Sequence, residues 1–169
     1  MTLAGVEVWA PLAYEGGTRA LVRGLKYRNA VALAGPMAAQ IAANAPPGLL
    51  RPGDTLVPVP LHPARMRRRG FNQAERLATA LAVRTGLAAC DCLQRHGPAS
   101  RQVGRDRAGR LEGAEGAVSV RVGRPVPGRV VLVDDVATTG ATLAACAAAL
   151  RGAGTRRLVA VAFARTPGR

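Results

Sequence analysis

The chain has 169 residues, with 24 Lys and Arg against 10 Asp and Glu, a formal charge of +14, and 49% hydrophobic but only 3% aromatic residues. That length fits a single domain, residues 1–169, whose core must be built from Ala, Val and Leu, and the charge suits either an anionic partner or a solvated arginine-rich surface. No apolar run reaches the length of a membrane span, residues 1–10 lack a signal-peptide pattern, and Cys90, Cys92 and Cys146 are too few for a four-ligand zinc site and odd in number for a disulfide framework, so the expected compartment is the cytoplasm.

Val6 to Tyr14 alternates weakly and reads as an edge strand or extended arm. Gly16 and Gly17 make a turn, Thr18 caps a helix through Leu25, and Lys26-Tyr27-Arg28-Asn29 ends it with basic residues, so residues 1–30 form an arm and a first helix. A second helix, Val31 to Asn44, is apolar nearly all round and is terminated by Pro46-Pro47-Gly48. Thr55 to Pro60 predicts a short strand ending near Val59, with Pro60 shaping the loop that follows. That loop, Leu61 to Gln73, carries four arginines in five residues: Arg65, Arg67, Arg68 and Arg69. Gly70 would permit close approach of a ligand and Asn72 would cap a helix reaching Thr85, with Ala74, Leu77, Ala78 and Leu81 on its apolar face. Leu93 to Arg95 and Val118 to Val122 read as strands around a Gly- and Arg-rich stretch, residues 97–116, that has the composition of a mobile loop.

The most informative stretch is Arg129 to Thr142. Val130-Val131-Leu132-Val133 predicts a strand buried on both faces, ending at Asp134 and Asp135. Small and hydroxyl residues follow, Val136-Ala137-Thr138-Thr139-Gly140-Ala141-Thr142, and then an Ala/Leu-rich helix from Leu143 to Leu150, with Cys146 as a small core residue. Unpaired N–H groups and the helix dipole favour an anion at such a turn. Thr138, Thr139 and Thr142 add donors, Gly140 allows close approach, and the two carboxylates can accept hydrogen bonds from sugar hydroxyls. A nucleotide P-loop is excluded, because Ala141 follows Gly140 and the only lysine in the chain is Lys26. A last strand, Leu158 to Phe163, completes an alternation of strands and helices that argues an α/β fold, a mostly parallel sheet with helices on both faces.

The Asp134–Thr142 stretch resembles the 5-phosphoribosyl-1-pyrophosphate (PRPP) signature of type I phosphoribosyltransferases. Together with Leu25-Lys26-Tyr27-Arg28, Val57-Pro58-Val59-Pro60-Leu61-His62, Arg65, Arg69-Gly70-Phe71-Asn72-Gln73, and Gln102 with Arg110, it resembles the ComF family of competence-associated, phosphoribosyltransferase-like proteins. The Arg-Gly-Phe-Asn-Gln block selects this branch over purine or orotate transferases. Two departures stand out. The family's N-terminal four-cysteine zinc finger has no counterpart in these residues, and the lid pattern is broken at Gly113 and Ala117-Val118.

The resemblance implies a type I phosphoribosyltransferase-like fold with a flexible lid, and a PRPP or ribose 5-phosphate ligand with Mg²⁺. It implies that Val136 to Thr142 hold the 5′-phosphate and that Asp134 and Asp135 meet the ribose hydroxyls, and the metal through water or substrate. Leu61, His62, Arg65, Arg69 and Gly70 would meet the pyrophosphate, and Gln102, Arg107 and Arg110 would belong to the lid. His62 serves equally as a loop cap, and His96 receives no role. Three activities remain open: phosphoribosyl transfer to an unidentified acceptor, single-stranded DNA binding in competence and DNA uptake, and PRPP sensing without turnover. Type I transferases often pair, which leaves a homodimer open on fold analogy alone.

Overall fold

A computed structural model describes residues 1–27, 30–96 and 117–166. The chain opens with β1 (Thr2–Leu3), β2 (Val6–Trp9) and β3 (Leu12–Ala13), then α1 (Gly16–Tyr27), a 3₁₀ turn (Val31–Leu33) and α2 (Ala34–Asn44). β4 (Thr55–Pro58), α3 (Pro63–Arg69), α4 (Gln73–Thr85), β5 (Ala88–Ala89) and β6 (Leu93–Arg95) follow. After residues 97–116 come β7 (Val118–Val120), β8 (Arg129–Ala137), α5 (Ala141–Gly152) and β9 (Arg157–Arg165). The seven-stranded main sheet runs β1-β2-β9-β8-β4-β5, with β3 also paired to β9, and every pairing in it except β1–β2 is parallel. β6 and β7 form a separate antiparallel pair. This is the mostly parallel α/β architecture that the alternation of strands and helices implies.

Two cores sandwich the sheet. Val130 and Leu132 of β8 join a cluster with Leu143, Cys146 and Leu150 of α5, and with Leu93 and Val118 of the small sheet. Val131 and Val133 join the opposite cluster with Val22 and Leu25 of α1, Met37 and Ile41 of α2, and Leu77 and Leu81 of α4. The period-two alternation of a strand buried on both faces accounts for this division. Among the described residues, no helix is long and apolar enough to cross a membrane.

Four sequence expectations change. β8 does not stop at the acidic pair: its ladder with β9 continues through Asp134↔Ala162 to Ala137↔Arg165, because β9 also extends to Arg165. The segment 31–44 is a 3₁₀ turn followed by α2, and α2 buries only one face, through Ala34, Met37, Ala38 and Ile41. Thr18 caps nothing; α1 starts two residues earlier, where the Arg19 N–H reaches the Glu15 carbonyl at 3.1 Å. The arginine-rich loop is largely helical. Pro63 sits in the first turn of α3, His62 accepts from the Ala64 N–H at 3.1 Å as its cap, and Gly70 closes it at φ 81°, its N–H donating to the Met66 carbonyl. Proline at a helix start and a left-handed glycine at its end bracket this turn. The segment 97–116, with the lid residues Gln102, Arg107 and Arg110, lies outside the described residues.

The far edge of the sheet, at the strand N-termini, is tied by one carboxylate. Asp54 is 2% exposed and accepts from the Arg51 N–H at 2.9 Å, from Arg129 Nε at 3.0 Å and from Arg157 Nη1 at 2.5 Å. It thus links the loop before β4 to the first residues of β8 and β9. Asp54→Ala takes the carboxylate from Arg129 and Arg157, leaving Arg157 only the Gly48 and Leu49 carbonyls, and removes three accepted hydrogen bonds, so it should cost about 3 kcal/mol. Urea unfolding of the two proteins measures this; equal midpoints would show that the clamp carries no stability.

Candidate functional site

The C-terminal ends of β4 and β8 open onto a cleft of about 250 Å³, bordered by the α1 end, α3, α5 and the small sheet. Doubly wound sheets leave such crevices beyond their strand ends. The lining combines Asp134, Asp135, Val136, Thr138 and Thr142 with Leu61, Arg65, Gln73, Arg95, Lys26 and Tyr14.

The adjacent carboxylates are separated by strand geometry, since successive side chains leave a strand on opposite sides. Asp135 turns toward α1. It is 2% exposed, and its Oδ2 lies 2.7 Å from Lys26 Nζ. That contact is a charge pairing rather than an aligned hydrogen bond, for Oδ2 has no hydrogen-bond partner of good geometry. Asp134 turns the other way, into the electrostatic neighbourhood of Arg95 and Cys146. Its Oδ1 accepts the Asp135 N–H at 2.8 Å. Burial at the cleft floor, reinforced by the neighbouring Asp135 charge, holds the Asp134 carboxyl well above the ordinary carboxylate range, and Lys26 only partly offsets this. Burial likewise pushes the Cys146 thiol up to about 12, which fits its place as an inert core residue.

At the other wall, α5 begins at Gly140, whose φ of 81° favours glycine. A Cβ there would also lie 2.6 Å from Leu3 Cβ, so the close approach permitted by Gly140 is that of the N-terminal β1 strand. Thr138 and Thr142 face the cleft at the start of this helix. Thr139 is exposed, with its Oγ1 3.5 Å from the Ala141 N–H, and Ala137 is buried, its carbonyl accepting the Thr166 N–H at 3.0 Å.

The β4–α4 junction is fixed by Asn72. Its side-chain oxygen caps α4 by accepting the Ala74 N–H at 3.1 Å, as the sequence predicts, while its amide donates to the Val59 carbonyl at 3.0 Å. Val59 N–H in turn donates to the Val133 carbonyl. Phe71 is buried in the helical core and Gln73 lines the cleft. Arg69 hydrogen-bonds Gln73 and lies over the Tyr27 ring, 5.5 Å from its centre. The Arg-Gly-Phe-Asn-Gln block is therefore a scaffold that holds the cleft wall.

Of the residues singled out in the sequence, Asp134, Asp135, Val136, Thr138, Thr142, Leu61 and Arg65 meet in the cleft. His62 and Gly70 act as helix caps, and Arg69 braces α3 against α1 and α4, so these three do not line the cleft. Ala137, Thr139, Gly140 and Ala141 build the turn without lining it. Lys26, Arg95, Tyr14 and Gln73 were missed as site residues. The signals for Lys26 were its being the only lysine in an arginine-rich chain and its place in the Leu25-Lys26-Tyr27-Arg28 element of the family resemblance. For Arg95 there was none, since the β6–β7 pairing that brings it to the cleft spans residues far apart in sequence.

Among the described residues, no group of three His, Cys, Asp or Glu side chains could hold a metal ion by itself. Of the two carboxylates, Asp135 is paired with Lys26 and Asp134 lines the cleft.

No family model matches the chain. Over 87 residues, 52% of its length, it is 36% identical to Competence protein ComFC of Streptococcus pneumoniae, and the alignment spans 37% of that protein. A solved structure of the allosteric regulatory enzyme of purine biosynthesis is 25% identical, aligns with 76% of this chain and 24% of that one, and has a TM-score of 0.44, a likeness too loose to argue from. Over those 87 residues the chain resembles ComFC, and it spans well under two thirds of that relative's length.

Lys26→Met leaves Asp135 charged, buried and unpartnered. The expected loss is about 3 kcal/mol, near the low end for a broken buried pair because Lys26 keeps 22% of its side-chain exposure. Adding Asp135→Asn should restore most of that loss in urea unfolding. A double variant as unstable as Lys26→Met would show that Lys26 stabilises the fold through packing alone.

Proposed function

We propose that the cleft binds PRPP or ribose 5-phosphate with Mg²⁺ and transfers the phosphoribosyl group to an acceptor. The observation that carries this is the convergence of Thr138 and Thr142, at the N-terminus of the twelve-residue α5, with Asp134 in one crevice at the strand ends. The residues supply distinct roles. The hydroxyls of Thr138 and Thr142, with the unpaired N–H groups of the first turn of α5, hold the 5′-phosphate. Asp134 accepts hydrogen bonds from the ribose hydroxyls. As the bond from C1 to pyrophosphate lengthens, positive charge grows on the sugar ring, and a carboxylate beneath it stabilises that charge. Asp135, neutralised by Lys26, holds the floor in shape.

Mg²⁺ would be held by Asp134, directly or through water, together with ligand oxygens, with Asp135 buried against Lys26 on the other side of the strand, and would supply charge neutralisation to the departing pyrophosphate. The donor set fits such a loosely held ion. A type I phosphoribosyltransferase-like fold, a cytoplasmic setting and a homodimer are expectations that go with this reading.

A second reading, a single-stranded DNA-binding competence factor that retains the fold, draws support from the name of the Streptococcus pneumoniae relative and from the charge of +14. A PRPP sensor without turnover shares the same cleft. Isothermal titration with PRPP and Mg²⁺ separates the cleft from the surface. The expected outcome is saturable binding that Thr138→Ala with Thr142→Val weakens by about tenfold or more, the worth of two lost hydrogen bonds to a charged group. Wild-type protein that takes up no PRPP, but binds single-stranded DNA with a steep salt dependence, would favour the second reading.

A further inference from the structure

At the edge of the sheet opposite the cleft, where the strands begin, lies an open trough of about 610 Å³ lined by Arg51, Arg151, Arg156 and Arg157. Among the described residues Glu7 is the one acidic side chain that borders it, and no aromatic side chain does. The sheet sets the arrangement. Arg157 opens β9 and lies opposite Arg129, the first residue of β8, and Arg51 precedes β4, the next strand across. Neighbouring strands stand about 4.8 Å apart, so side chains at their starts form a row along the edge rather than a ring around one point. Arg151, in the last turn of α5, and Arg156, in the connection from α5 to β9, add to this row from the helix layer.

Only part of the charge is answered within the chain. The buried Asp54 serves Arg129 and Arg157 together. The Gly48 carbonyl accepts from Arg51 Nε at 2.7 Å and from Arg157 Nη2 at 3.1 Å, which holds these two side chains side by side without cancelling their charge. The Arg156 guanidinium lies against Gly128, where an added Cβ would be 3.3 Å from it. The side chains of Arg151 and Arg156 make no hydrogen bond or ion pair with a described residue. Five guanidinium groups therefore face two carboxylates, Asp54 and Glu7, and Arg51, Arg129 and Arg157 are fixed in place before any ligand arrives. A row of fixed positive charge suits a row of phosphates better than a compact anion, which would meet only part of it. Without an aromatic platform the bases of a single strand have nothing to stack on, whereas a duplex keeps its bases stacked inside and turns its phosphates outward.

We propose that this trough is a docking surface for the phosphate backbone of double-stranded DNA, held by charge and without base readout. It lies on a different edge of the sheet from the cleft and does not rest on the phosphoribosyl reading. It also departs from the second reading in its partner, a duplex in place of a single strand.

Fluorescence anisotropy with a short labelled duplex, and with one of its strands alone, tests this across a series of salt concentrations. The proteins compared are wild type, Arg151→Gln with Arg156→Gln, and Arg67→Gln with Arg68→Gln, the last removing two exposed arginines of α3 beside the cleft. Urea unfolding of the same samples confirms that each is folded. Wild type is expected to bind the duplex more tightly than the single strand. The trough pair should weaken the duplex by about tenfold or more and lower the salt slope by about 2, while the α3 pair changes its affinity by less than about threefold. Should the trough pair unfold, Arg151→Gln and Arg156→Gln taken singly each lower the slope by about 1. Wild type that binds no duplex, or that binds the single strand more tightly, overturns the proposal. So does an α3 pair that loses as much as the trough pair, because binding would then follow net charge and not this surface.

Discussion

The cleft depends on one ion pair, Lys26 with Asp135. β8 continues past its apolar run, so two neighbouring carboxylates are carried on a strand whose side chains alternate. One of them must enter the packed layer between the sheet and α1. A buried carboxylate without a partner costs several kcal/mol, and Lys26 at the end of α1 provides the compensating charge. The same pairing fixes the last turn of α1 against the strand end. It also leaves Asp134 as the carboxylate turned toward the Arg95 side, at a raised pKa because the floor is poorly solvated and already negatively charged. The division of labour between two adjacent aspartates thus follows from the pleat of the strand.

Around that floor the walls are built from parts with no chemistry of their own. Asn72 ties the head of α4 to the end of β4, and Gly70 ends α3 so that Phe71 can enter the core. Leu3 of β1 packs on Gly140, so the N-terminal strand braces the turn that starts α5. The result is a crevice whose polar groups come from separate elements, yet each is supported by packing or backbone bonds.

Much of this was legible in the sequence because it is local. The apolar run of β8, the hydroxyl-rich turn, the α5 helix and the Asn72 cap are all set by neighbours a few residues apart. The split of Asp134 from Asp135 follows from strand periodicity, but only once β8 is known to continue to Ala137, and that depends on β9 being equally long. The helical nature of α3 was concealed by a run of charged residues without apolar periodicity; its signals were Pro63 and Gly70 at the two ends. The roles of Lys26 and Arg95 were not legible, since each arises from contacts between elements distant in sequence. His62 and Gly70, which have the composition of a ligand loop, cap α3, and Arg69 contacts Gln73 and Tyr27, because helix caps and anion sites draw on the same residue types.

The central claim is that the crevice at the ends of β4 and β8 holds a sugar phosphate with its phosphate on the α5 side. A crystal structure grown with PRPP and Mg²⁺ tests it most directly. The account predicts the 5′-phosphate against Thr138, Thr142 and the first N–H groups of α5, with the ribose hydroxyls on Asp134. A ligand found instead on an outer arginine surface, with the crevice holding only solvent, would contradict it.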